Sequence, residues 1–122
     1  MAADPASASL ERLRGLCLAQ PGATERLSHG EPAWFAGNGR LFAMFANRHH
    51  DDRVAFWCAA PPGAQAPLIE DAPARYFHPP YVGHRGWVAA YLDLADVDWA
   101  HVAELVEAAH LTVAPPRRPR GA

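Results

Sequence analysis

The segment Pro80-Tyr81-Val82-Gly83-His84-Arg85-Gly86-Trp87 concentrates the side chains of this sequence most able to do chemistry. Its proline and two glycines make a rigid turn that could present His84 and Arg85 to an anion, while Tyr81 or Trp87 stacks on a flat ring. Arginine suits that task because its planar guanidinium forks onto two oxygens of a phosphate. A structural reading stays open beside it, in which Arg85 pairs with an acid such as Asp93 and the glycines only turn the chain.

The other clusters are weaker. His49-His50-Asp51-Asp52 is the densest run of potential metal ligands, but adjacent residues of an extended chain point apart and no HExxH or HxxxH spacing accompanies it. His101 and Glu104 share a helix face without the further carboxylates that bundle metal sites use. Ser28-His29 sets a hydroxyl beside an imidazole, yet adjacency supplies neither the hydrogen-bonded orientation nor the oxyanion hole of a nucleophilic site. Cys17 and Cys58 form no CxxC pair and read as two buried free thiols. With no Gly-rich phosphate loop and no paired catalytic carboxylates, the expectation is a non-enzyme with no metal and no cofactor.

The elements that must position these residues follow from pattern. Leu10, Leu13, Leu16 and Cys17 keep helical spacing, which predicts a first helix over 9–20, capped by Ser7 or Ser9 and stopped by Pro21-Gly22. Short aromatic-rich runs then predict an antiparallel meander at 24–28, 33–36, 40–46 and 54–59. Asn38-Gly39 suits the positive φ of a tight hairpin turn joining the second and third strands. A short helix is expected within 64–70, an ordered loop over 76–87, and a last strand over 87–92. Asp96 or Asp98 then caps a helix whose Trp99, Val102, Val106, Ala109 and Val113 form the core face.

At 122 residues the chain holds one domain, since a single core splits only above roughly 250 residues. Half of its residues are hydrophobic and 20% are charged, enough to bury a core. The expected division is a disordered tail at 1–8, one domain over 9–114 and a flexible Arg/Pro-rich tail at 115–122. No apolar run reaches membrane-spanning length and the first residues lack a signal-peptide pattern, so a cytoplasmic protein is expected. The formal charge of −2 gives no general basic field, so any nucleic-acid contact must come from a local patch. Arg40, Arg48, Arg53, His84, Arg85, Arg117 and Arg118 are the candidates for it.

The fold class predicted is α+β: a bent antiparallel sheet with N-terminal and C-terminal helices and a short middle helix, packed mainly on one face. Three short helices cover one face, so the other would show an aromatic patch unless the sheet curls over it. Trp34, Phe42, Trp57, Tyr81, His84, Arg85 and Trp87 are the candidate ligand residues there, for a planar aromatic small molecule. A homodimer using the same patch as its interface is a third possibility, so the chain is expected as a monomer or homodimer.

In Leu18-Ala19-Gln20-Pro21-Gly22, Ser28-His29-Gly30 with Pro32 and Phe35, 57–63, 79–87, and Leu92, Asp93, Asp98 and Trp99, the sequence carries a set of family-specific segments. On these residues, from about Leu10 to Pro115, it resembles the YjbR/MmcQ family of small bacterial proteins. That resemblance implies the frataxin-like YjbR superfamily fold, whose bent sheet is similar to a double-wing DNA-binding module. It also implies DNA as the leading partner, with the planar small molecule as the alternative. The chain keeps a basic residue after the hairpin glycine, Arg40, and carries Pro116 where the family often has lysine, shifting positive charge to Arg117 and Arg118.

Overall fold

A computed structural model of the chain describes residues 5–48 and 52–115. Helix α1 (Pro5–Leu18) opens earlier than its sequence pattern suggests. Pro5 is compatible with a first helical turn because its missing N–H would have no partner there. Ala6 is buried, and Ser9, expected as a cap, lies inside the helix and donates its hydroxyl to the Leu92 carbonyl at 3.3 Å.

Four strands follow: β1 (Thr24–Ser28), β2 (Glu31–Phe35), β3 (Leu41–Asn47) and β4 (Val54–Cys58). Then come α2 (Gln65–Asp71), β5 (Tyr76–Phe77), β6 (Val88–Tyr91) and α3 (Trp99–Val113). All six strands pair antiparallel in the order β1-β2-β3-β4-β6-β5. The meander is therefore as the sequence predicts, and β6 inserts between β4 and a short edge strand. The expected loop over 76–87 is corrected at its start, where Tyr76 and Phe77 pair with Ala90 and Ala89. The edge strand stops at two residues because Pro79 and Pro80 cannot continue a ladder.

The turn between β2 and β3 holds Gly39 at φ 86°, a conformation that costs glycine little, with Gly39 N–H donating to the Ala36 carbonyl at 2.8 Å. A register shift between Trp34 and Phe35 then bends the sheet where β3 begins. In α3 the cap is Asp98, whose carboxylate accepts from the His101 N–H at 3.1 Å.

Successive residues of β4 face opposite sides, yet all five are buried, so both faces of the sheet centre are covered. Among the described residues the open aromatic face that the sequence suggested is not found. Trp34, Phe42, Trp57 and Trp87 are all buried, and Tyr91 is half-buried under Arg53 and stacked on Phe77. On one side Phe42 meets His110 of α3 edge-on at 5.3 Å, and α1 and α3 pack on β3. On the other, Val82 and Tyr81 approach Met44 and Trp57, cross-strand partners on β3 and β4. The 79–87 segment covers what the helices leave.

Trp99 departs from its expected place in the core. It stands at the first turn of α3, half-buried, with the Arg12 guanidinium 4.6 Å from its ring centre. No helix among the described residues is long and apolar enough to cross a membrane.

Candidate functional site

Most arginines of the described residues are neutralised or laid on a ring. Arg14 is bonded to Glu25 at 2.8 and 3.0 Å and also pairs with Glu11. Arg75 pairs with Asp96 at 2.6 Å, while Arg26 and Arg12 lie over Phe35 and Trp99. Arg53 grips both oxygens of Asp93 and covers the Tyr91 ring at 3.8 Å. These charges stabilise the fold and offer little to an outside anion. By contrast, the guanidinium groups of Arg40 and Arg85 have no side-chain partner among the described residues, and both are exposed.

Those two cations line one cavity of about 350 Å³ with Leu41, Ala59, Ala60, Trp87, Thr112 and Val113. Arg40 leaves the β2–β3 turn, which is fixed twice by Asn38: its side-chain oxygen accepts the Arg40 N–H at 3.0 Å, and its Nδ2 donates to the Val113 carbonyl at 2.9 Å. Arg85 closes a single 3-10 turn over Gly83–Arg85, ended by Gly86 at φ 86°. Gln65 of α2 holds that turn by donating its amide to the carbonyls of Gly83, at 2.8 Å, and Trp87. Thr112 spends its hydroxyl proton on the Ala108 carbonyl at 2.7 Å. Two positive charges on braced turns, converging in a concave site, are suited to a phosphate or carboxylate.

A second cavity, about 470 Å³, is walled by Ser28, His29, Leu41, Met44, Trp57, Tyr81 and Val82. Its lining is mainly apolar and carries no Asp, Glu, Lys or Arg side chain. Two of its rim residues, His29 at φ 52° and Tyr81 at φ 67°, are non-glycine residues in the left-handed region. Such conformations are uncommon for a bulky side chain and concentrate at ligand-binding and switch segments. Leu41 borders both cavities.

The candidates read from sequence thus separate. Arg40, Arg85 and Trp87 come together, whereas Trp57 and Tyr81 belong to the second cavity and exposed His84 lines neither. Arg48, hydrogen-bonded to Asn47 at 3.1 Å, and Arg53 lie at the far end of β3 from Arg40, roughly 25 Å along the strand. A single patch joining all the hairpin arginines is not formed. Trp34 and Phe42 are core residues: the Trp34 indole N–H donates to Glu25 at 2.9 Å and Phe42 packs on His110. Arg117 and Arg118 lie outside the described residues, as do His49, His50 and Asp51.

Gln65, Thr112 and Met44 were not singled out from sequence, because what brings them to the cavities is a hydrogen bond, a packed helix end or a strand register between distant segments. Among the described residues no cluster of His, Cys, Asp and Glu could hold a metal ion. Both thiols are buried, which raises their pKa values, that of Cys58 to about 12, and leaves them protonated and poorly nucleophilic.

The YjbR family model matches residues 18–112 of the chain. In structure the chain is similar to a crystal structure of Deinococcus radiodurans protein DR2400, described as a DUF419 domain. The TM-score is 0.74 at 16% identity, covering 91% of this chain and 82% of that one. This similarity supports the α+β architecture of three helices on a six-stranded antiparallel sheet. No curated protein matches the sequence.

Proposed function

The chain belongs to the YjbR family, and we propose that it acts without catalysis, as a weak and sequence-tolerant DNA-binding protein of the cytoplasm that holds phosphate on Arg40 and Arg85. One observation carries this reading: of the arginines in the described residues, the two whose guanidinium groups have no side-chain partner line the same cavity. Every neutralised arginine keeps its place in the fold, while these two remain available to an incoming anion. Exposed His84, one residue before Arg85, can add a hydrogen bond at the rim. A charge of −2 over the chain opposes long-range attraction to DNA, which fits weak binding made by local contacts.

The test is a fluorescence-anisotropy titration of a labelled oligonucleotide at low salt. Dissociation constants of roughly 1 to 100 μM are expected, with a logarithmic salt slope of about two because two phosphates are neutralised. Arg40→Ala with Arg85→Ala should strongly weaken binding and flatten the slope, whereas Arg48→Ala, at the far end of β3, should change little. No binding at 100 μM, or full binding by the double variant, overturns the reading.

A further inference from the structure

Leu41 lines both cavities, and their properties are complementary: one presents two cations, the other a largely apolar slot beside an aromatic ring, with no Asp, Glu, Lys or Arg side chain. Resting on the phosphate-binding reading above, we infer that the preferred ligand is an unpaired nucleotide, its phosphate on Arg40 and Arg85 and its base in the cavity beneath Tyr81.

A base inside a duplex has both faces stacked and offers only its edge to a protein, whereas a slot accepts a ring face. Met44 and Trp57 sit side by side as cross-strand partners and form one wall of that slot. Tyr81, 76% exposed, stands at its mouth. A nucleobase is flat and uncharged, and the wall side chains include no charged group. Ser28 and His29 supply a hydroxyl and an imidazole at the rim, groups able to meet the polar edge of a base. Aromatic stacking with adjacent positive charge is how single-stranded nucleic acid is held without sequence preference.

The count of cations points the same way. Duplex binding with a steep salt dependence rests on about 6 to 10 phosphate contacts, and two arginines lining one cavity fall well short of that. One or two phosphates beside one inserted base make a smaller ligand, matched to cavities of a few hundred Å³. The backbone supports the assignment further. Tyr81 holds φ 67° in a turn braced by Gly83 N–H on the Pro79 carbonyl at 3.0 Å, and His29, which also lines the slot, holds φ 52°. Two strained residues from separate turns at one rim fit a built site better than accidental surface relief.

Labelled oligothymidine and the same strand annealed to its complement, titrated at equal ionic strength, test the inference. The single strand should bind roughly tenfold tighter, the gain expected from one stacked base. Tyr81→Ala should remove that preference and leave duplex binding as it was. Arg40→Ala with Arg85→Ala should weaken both forms. A thermal melt of each variant confirms that it is folded. If the duplex binds as well as the single strand, or Tyr81→Ala weakens both equally, the inference fails while the phosphate reading stands. If the arginine variants bind normally and neutral thymine alone competes, both fail and the second cavity is a small-molecule site.

Discussion

Nε and Nη2 of Arg53 each reach an oxygen of Asp93 at 2.8 Å, and the same carboxylate accepts the Val54 N–H at 3.0 Å. One side chain thus ties the start of β4 to the residues after β6. The Arg53 guanidinium holds the Asp93 carboxyl below its ordinary pKa, with the Val54 N–H acting in the same direction. Glu25 is held low in the same way by Arg14 and by the indole N–H of Trp34.

Acid should therefore destabilise the fold through these two groups. A carboxylate whose folded pKa lies below its unfolded value of roughly 4 contributes its full stability above that value. The contribution is lost as pH falls through the folded pKa. Thermal melts between pH 7 and 3 should show the loss below about pH 4, and Asp93→Asn should flatten part of it. At pH 7 that substitution should cost about 1 kcal/mol, the scale of a partly exposed charged hydrogen bond. An unchanged pH profile in Asp93→Asn would place the acid sensitivity elsewhere.

Two tryptophans distinguish core from margin. Trp34 is fully buried and hydrogen-bonded, so Trp34→Ala should cost about 3–5 kcal/mol and leave little stable protein. Trp99 is half-buried under Arg12, so Trp99→Ala should cost about 1–2 kcal/mol. Urea titrations give both values, and equal costs would return Trp99 to the core.

What was legible in the sequence was local. Asn38-Gly39 marks its turn because few residues accept positive φ, and the aromatic-rich apolar run 54–58 marks a strand, though not that both its faces are covered. Pairing between distant segments was not legible. Asp93 looked available to Arg85, but the strand order sets it beside Arg53 instead. β5 is too short to carry an alternating pattern, so the position of β6 between β4 and β5 left no trace. That Arg40 and Arg85 line one cavity depends on α3 and the 3-10 turn reaching the start of β3, a tertiary fact with no sequence period. The aromatic rings misled for a related reason: a third layer made of loop, not helix, covers them.

Gln65 links that loop to the candidate site without reaching it. Its amide spans the carbonyls of Gly83 and Trp87, the two ends of the turn that carries Arg85. Gln65→Ala should cost about 1–2 kcal/mol, since two part-buried acceptors lose a shared donor. It should also weaken oligonucleotide binding a few-fold, by letting the turn carry Arg85 away from Arg40. Gln65→Glu separates positioning from packing, because it keeps the side-chain shape while turning the donor into an acceptor. At neutral pH its carboxylate would face two carbonyl oxygens, so it should bind oligonucleotide more weakly than the alanine variant and melt at a lower temperature. Anisotropy and thermal melts on both variants decide the matter: binding unchanged in both would show that Arg85 does not depend on this clamp.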